Sequence, residues 1–276
     1  MKKLNRWHKE IYFHSSECMQ EVTNESARLV IASPPYTNNA DGKTLYKSDY
    51  ISFINRTFRE VFRVLITGGV LVCINTDLRD HTRYNHGNRS FEGQVWFKHC
   101  DIRITAEEIG FRCFDCKIWA KTLKRDVMRY TFSYIVFYLK PGGEVCRPLY
   151  PKVAEDFGPD VWLLEKGTRR KSSDGLVFRN AIHPCLVERC IGEFTSEGEL
   201  VVSPFTGSGT IPAVAELMGR NWVGYEVNKT LKSLIWESIY GPNRPKVYEP
   251  LVAKYRGQSK YKSNVRSNAV RTCGDS

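Results

Sequence analysis

Apolar residues in this chain fall into short unbroken runs separated by longer stretches with helical spacing. Two early runs, EIYF (10–13) and RLVIA (28–32), are continuous rather than alternating, the pattern of strands buried on both faces of a parallel sheet. Between residues 50 and 66, Ile51, Ile54, Phe58, Val61, Phe62 and Leu65 recur at helical spacing and predict a helix that stops at Thr67–Gly68–Gly69. VLVCIN (70–75) predicts the next strand and ITAEEIG (104–110) a helix closed by Gly110. FRCFDCKIWA and TFSYIVFYL predict two more strands, the second ending at KPGG (140–143). Further on, HPCLVERCIGEFT (183–195) is helical in period, ELVVSPF (199–205) a strand, TIPAVAELMG (210–219) a helix and NWVGYEV (221–227) a strand. Strands and helices that alternate in this way predict an α/β fold, a mostly parallel sheet covered by helices on both faces.

Two stretches break the pattern. Residues 78–100 are polar and aromatic without a period, and 144–180 are irregular and carry the basic cluster Lys166, Arg169, Arg170 and Lys171. Loops this long inside a compact domain are usually functional, so both stretches are candidates for contact with a polyanion. Residues 251–276 are basic and poor in apolar period, which predicts a loose tail behind one domain spanning 1–250.

Composition narrows the class. The 276 residues are 42% hydrophobic and 26% charged, ordinary for a globular protein. A net charge of +11 favours a nucleic-acid partner. The opening MKKLNRWHKE has no apolar h-region and no stretch reaches the length of a membrane span, so a cytoplasmic setting is expected. Nine cysteines, scattered and odd in number, fit a reducing compartment in which most thiols are buried. The C-x-x-C at Cys113–Cys116 lacks a second pair and reads as structural rather than as a zinc site. His81, His86 and His99 have no partners at ligand spacing and read as solvated or nucleic-acid-facing, so no metal is expected.

The chemistry gathers at two places far apart in the chain. Ser33–Pro34–Pro35–Tyr36 closes the strand RLVIA. Two successive prolines have no N–H to donate and force the residues before them out of the helical region, so the strand exit is stiff and its carbonyls face outward. The second place is VVSPFTGSGTIPAVAELMGRNWVGYEVN (201–228): a strand, a turn with Gly207 and Gly209, a helix, and a strand that ends at Glu226. In open α/β sheets this arrangement holds a nucleoside cofactor, the glycines admitting it and the acid accepting hydrogen bonds from the ribose hydroxyls. A third glycine of the phosphate-binding pattern is missing, so the weight rests on the two motifs together.

Together, SPPY at 33–36 and SPFTGSGT at 203–210 resemble the DNA amino-methyltransferases, with the catalytic motif first and the cofactor motif last, the order called the β class. GGVLVCIN, GFRCFDCKIWAK, FSYIVFYLK and HPCLVERCI follow in the family's sequence, so the resemblance runs from about residue 10 to about 235. It implies a Rossmann-like methyltransferase fold with a seven-stranded, mostly parallel sheet and one antiparallel hairpin near an edge. It implies S-adenosyl-L-methionine as cofactor, bound by Ser203, Phe205, Gly207, Ser208, Gly209, Thr210 and Glu226. His183 would cap its helix and touch the methionine portion, and Ser15 would lie near the adenine ring. Ser33, Pro34, Pro35 and Tyr36 would be catalytic, acting on a base flipped out of double-stranded DNA. The family usually pairs with a restriction endonuclease, and a monomer or a homodimer would serve.

SPPY accompanies cytosine-N4 methylation more often than adenine-N6 methylation in this family, so cytosine is the expected target and adenine the alternative. An RNA amino-methyltransferase and an inactive nucleic-acid-binding relative are the rival readings. Carbon-5 cytosine methylation would need a Pro-Cys nucleophile. Pro184–Cys185 has that dipeptide but lies in the family's H-P helix. Two departures stand out: Ser203 where the family has Asp, and Ser15–Ser16 where it has Gly-Asp.

Overall fold

Every other side chain of the run at 27–32 faces a different layer, which is why the run carries no polar alternation. Leu29 and Ile31 belong to one buried cluster, Val30 and Ala32 to another. The computed structural model describes residues 9–35, 47–79, 95–121, 131–143, 157–164 and 170–245. Tyr36, His81, His86, Lys166, Arg169, the greater part of the stretches 78–100 and 144–169, and the expected tail at 251–276 lie outside the described residues.

The first half comprises β1 (Glu10–Tyr12), β2 (Ala27–Ala32), α1 (Lys47–Val64), β3 (Leu65–Asn75), β4 (Leu78–Arg79), β5 (Val95–Trp96), α2 (Lys98–Ile109), β6 (Arg112–Ala120) and β7 (Phe132–Leu139). The second comprises β8 (Val161–Leu163), β9 (Arg170–Lys171), β10 (Val177–Phe178), α3 (Pro184–Phe194), β11 (Leu200–Ser203), α4 (Thr210–Leu217), β12 (Asn221–Tyr225) and α5 (Lys232–Tyr240). The main sheet runs β1-β12-β11-β2-β3-β7-β6-β8. Its neighbours are parallel except where β7 pairs with β3 and β6. This is a mixed, mostly parallel α/β sheet, as the resemblance implies, with the antiparallel β6–β7 pair near one edge.

The sheet has eight strands instead of the expected seven. The extra one, β8, is only Val161, Trp162 and Leu163, exposed, buried and exposed in turn, within a stretch that reads as irregular. Three residues are too few to show a period. A second difference concerns α1, which ends at Val64 so that Thr67–Gly68–Gly69 lie inside β3. Gly68 N–H donates to the Lys140 carbonyl and Lys140 N–H to the Gly69 carbonyl, tying the glycines into a bulged strand rather than a helix stop. Helix α2 begins at Lys98, six residues before the expected start, inside the stretch that looks aperiodic.

Helices α1 and α2 cover one face of the sheet with Tyr50, Ile54, Phe58, Ile102 and Ala106. The other face is covered by α3, α4 and α5 through Leu186, Ile191, Phe194, Val214, Leu234 and Ile235. Each buried Leu, Ile, Val or Phe side chain among these contributes about 1.5–3 kcal/mol by leaving water. Helix α5 is absent from the sequence reading, although Leu231, Leu234, Ile235 and Ile239 carry its period and Gly241 its stop. The thiols depart from expectation too: of the described cysteines Cys73 and Cys190 are buried, whereas Cys18, Cys100 and Cys116 are exposed. Among the described residues no helix is long and apolar enough to cross a membrane.

Buried Arg220 ties together the two helices behind the glycine turn. Its guanidinium donates to the Thr195 carbonyl (2.7 Å) and hydroxyl (3.0 Å) at the end of α3, and to the Met218 carbonyl (2.6 Å) at the end of α4. Replacing it removes charge-assisted bonds inside a dry layer. Arg220→Met is expected to lower unfolding stability by about 3 kcal/mol, read as a shift in the urea midpoint at unchanged slope.

Candidate active site

Strands β11 and β2 lie side by side and parallel, with Val201 opposite Leu29 and Val202 opposite Val30. Beyond β11 the chain crosses through α4 to β12 on one side; beyond β2 it crosses through α1 to β3 on the other. This reversal makes a crevice at the carboxyl ends of the two strands, where open α/β sheets bind ligands. Adjacent strands are about 4.8 Å apart and rise about 3.3 Å per residue; the register puts Ser33 two residues beyond the level of Ser203, at the same end of the sheet. Ser33 is half-buried, Pro34 buried and Pro35 exposed.

The glycine turn is built to keep its backbone close to this edge. Thr206 N–H donates to the Tyr225 carbonyl at 2.9 Å and Gly209 N–H to the Thr206 carbonyl at 3.1 Å, closing the turn just before α4 begins at Thr210. Gly207 and Gly209 have φ of 55° and 81°, the left-handed region that glycine enters without strain. A Cβ on Gly209 would also lie 3.0 Å from the backbone of Ile235 in α5. Ser208 and Thr210 hydroxyls are 3.1 Å apart and both buried. Phe205 is half-buried against Phe53 of α1, with ring centres 5.7 Å apart.

Glu226 follows β12 and braces the turn from the side. One carboxylate oxygen accepts Gly207 N–H at 2.8 Å and the other accepts Asn228 N–H at 2.8 Å. Burial raises its pKa above the usual carboxylate range, while the Asn228 and Gly207 N–H groups pull the other way. Each carboxylate oxygen keeps a second lone pair, so the group can hold the turn and accept ribose hydroxyls together. Ser203 is 1% exposed and its Oγ has no hydrogen-bond partner among the described residues. A buried hydroxyl without a partner is costly and fits a ligand that brings its own polar group. Strain-free glycines, a carboxylate and an orphaned hydroxyl thus meet at one edge.

The remaining expected site residues are placed as follows. His183 caps α3, its Nδ1 accepting Cys185 N–H at 3.2 Å. Ser15 lies just past β1, whose Tyr12 sits opposite Tyr225, and its Oγ donates to Glu17 at 2.9 Å. Two residues that read as candidates for polyanion contact do other work. Arg170 is buried and donates to the Asn243 carbonyl at 2.6 Å, so it anchors the chain after α5; Lys171 beside it is exposed. His99 is half-buried and paired: Nδ1 is 2.7 Å from Asp77 and the ring stacks on Tyr134 at 3.9 Å. Among the described residues no three potential metal ligands come together.

A buried polar cluster on the α1–α2 face went unread in the sequence. Cys73, Asn75 and Asp77 project from β3 and the loop after it, toward Lys98 and Tyr50. Burial lowers Lys98 to about 8, against neighbouring Cys73 and Asp77, and pushes the Cys73 thiol up to about 12. Alternation along β3 could have flagged Cys73 and Asn75, but only packing brings Lys98 to them.

A family model described as DNA methylase, for N6 and N4 methyltransferases, matches residues 27–237, taking in both motifs. The chain belongs to the DNA methylase family. Among curated relatives, this DNA methylase is 28% identical over 238 residues to the orphan methyltransferase M.BamHII of Bacillus amyloliquefaciens, covering 73% of this chain and 84% of the relative. It is 26% identical over 285 residues to the Type II methyltransferase M.MjaI of Methanocaldococcus jannaschii, covering 83% and 90%. Among solved structures, the PvuII DNA methyltransferase, described as cytosine-N4-specific, superposes with a TM-score of 0.66 at 17% identity, over 90% of this chain and 91% of that one. A Thermus thermophilus protein described as a DNA modification methylase, crystallised with S-adenosyl-L-methionine, gives a TM-score of 0.66 at 24% identity, over 83% and 92%. At these identities the structural likeness concerns the fold.

Left-handed geometry and the close approach to Ile235 make Gly209 the least replaceable residue of the turn. Gly209→Ala is expected to cost about 1–3 kcal/mol of stability, measured by urea unfolding. A control at Gly198, also at positive φ (83°) but with nothing near its Cβ, should lose less.

Proposed function

We propose that this DNA methylase transfers a methyl group from S-adenosyl-L-methionine to the exocyclic N4 amine of cytosine, in a base extruded from double-stranded DNA. The observation that carries this reading is the parallel pairing of β11 with β2, which brings the glycine turn and the Ser33–Pro34–Pro35 exit to one edge of the sheet. S-adenosyl-L-methionine supplies an electrophilic sulfonium methyl. The turn from Ser203 to Thr210 holds the methionine end, with Ser203 Oγ toward its ammonium group, and Glu226 accepts the ribose hydroxyls. Ser15 borders the adenine, and His183 holds the helix beside the methionine portion.

An exocyclic amine is a weak nucleophile because its lone pair is delocalised into the ring. Ser33 Oγ and the Pro34 carbonyl accept its two hydrogens, which makes the nitrogen more tetrahedral and turns the lone pair toward the methyl. Tyr36 offers a flat face for the extruded base. Rate then comes from alignment and local electrostatics without a covalent enzyme intermediate, and water takes the released proton. Extruding the base costs roughly a few kcal/mol, which phosphate contacts from a chain of net charge +11 help to offset. Cytosine is favoured over adenine by the serine that opens SPPY. Several relatives are Type II methyltransferases and M.BamHII is described as an orphan, so the enzyme works beside a restriction endonuclease or alone, in the cytoplasm. The catalytic domain in this reading spans 1–250.

The test is to incubate the protein with methyl-labelled cofactor and unmethylated bacterial genomic DNA, digest to nucleosides and identify the product by mass. N4-methylcytosine is expected; N6-methyladenine would overturn the base assignment, and label in ribosomal RNA alone would overturn the DNA assignment. Ser33→Ala should lower kcat by about 100- to 1000-fold with little change in cofactor affinity. Cofactor affinity depends on an ionised Glu226, whose raised pKa means that the accepting form is lost at a higher pH than for an ordinary carboxylate. Binding measured by calorimetry should therefore weaken on acidification from neutral pH. Glu226→Gln should bind weakly and lose most of that pH dependence.

A further inference from the structure

A proline pair creates a problem for any catalytic turn built on it. Pro34 and Pro35 have no N–H and supply no donor to the turn. Helix α1 supplies one: the Tyr50 hydroxyl donates to the Pro35 carbonyl at 3.0 Å. Tyr50 is fully buried although the proline it reaches is exposed, so its hydroxyl stands at the floor of the turn.

The tyrosine is itself held on several sides. The Lys98 ammonium lies 5.2 Å from its ring centre, and the Trp96 ring meets it edge-on at 5.6 Å and 85°. Trp96 in turn donates to Asp101 at 2.5 Å, and Asp101 pairs with Lys47 in the first turn of α1 at 2.7 Å. The attraction between the cation and the ring face helps to hold the tyrosine in place. On the next turn of α1, Phe53 lies 6.5 Å from Tyr50 and 5.7 Å from Phe205 in the glycine turn. One helix thus touches both motifs.

We propose that Tyr50 is a positioning residue for methyl transfer: its hydroxyl fixes the Pro35 carbonyl and, through the stiff proline pair, the Pro34 carbonyl that receives the amine hydrogen. The inference rests on the amine-transfer reading above and adds the residue that holds its acceptor in place. A displacement of about 1 Å at a reacting centre can cost about 100-fold in rate. Loss of the hydroxyl therefore acts on turnover. Substrate and cofactor should still bind, because the tyrosine is fully buried and its ring stays in place.

The experiment compares the parent with Tyr50→Phe, which keeps the ring and removes one oxygen. Both are assayed with tritiated S-adenosyl-L-methionine and unmethylated bacterial genomic DNA, and kcat, the KM for DNA and the Kd for cofactor are measured separately. Expected is a fall in kcat of about 10- to 100-fold, with KM and Kd within about two-fold of the parent. A variant whose kcat stays within about two-fold overturns the inference, as does one whose whole loss is in KM or Kd. A Tyr50→Phe protein that no longer unfolds cooperatively also overturns it, since the hydroxyl would then serve the fold. A parent that transfers no methyl to DNA overturns the amine-transfer reading and this inference with it. An active parent with an unimpaired variant overturns the inference alone.

Discussion

Strands buried on both faces can pair in one registration only, because a slip of one residue would exchange the side chains facing the two layers. That constraint acts on β11 and β2 in the middle of the sheet. Leu29 and Val201 serve the α3–α5 layer, while Val30 and Val202 serve the α1–α2 layer. Any other register would expose apolar side chains or bury them in the wrong packing. The relative height of the proline exit and the glycine turn is therefore set by hydrophobic burial several residues below them. The site inherits its alignment from the core.

Helix α1 converts that alignment into rigidity. Its inner face, through Ile54, Phe58 and Val61, is fixed to the sheet, so its first turns are held relative to both strand exits. Tyr50 reaches one exit and Phe53 the other. On the opposite side, α4 starts where the glycine turn ends and α5 packs against Gly209, with Arg220 joining the ends of α3 and α4. The crevice has a fixed wall on each side of the sheet.

Polar groups at the site sit where burial makes them expensive, and the structure deals with them differently. Glu226 is compensated by two backbone donors, and Asp77 by the backbone N–H and ring of His99, which stacks on Tyr134. Ser203 keeps a hydroxyl without a partner among the described residues. Where the family resemblance leads one to expect an aspartate, serine avoids burying a second negative charge near Glu226. In the proposed cofactor site its neutral hydroxyl would offer a weaker hold on an ammonium group and would leave more of the binding to Glu226 and the turn.

Much of this was legible in the chain because its causes are local. Unbroken apolar runs mark strands with two buried faces, Gly110 marks the end of a helix, and SPPY and SPFTGSGT need particular residues at particular backbone angles. Short elements were not legible: β8 has three residues, too few for a period, and the start of α2 hides in a polar-aromatic stretch. The glycine pair at 68–69 looked like a helix stop, and only its pairing with Lys140 made it strand. Arg170 and His99 looked like surface charge until packing gave them the Asn243 carbonyl and Asp77. The sequence by itself determined the fold class and the two motifs, since each follows from residues close together in the chain. Tertiary structure alone decided that the motifs share an edge, that Tyr50 holds the proline turn and that Lys98 lies behind it. Those relations depend on strand order and helix packing between distant segments, which no local pattern encodes.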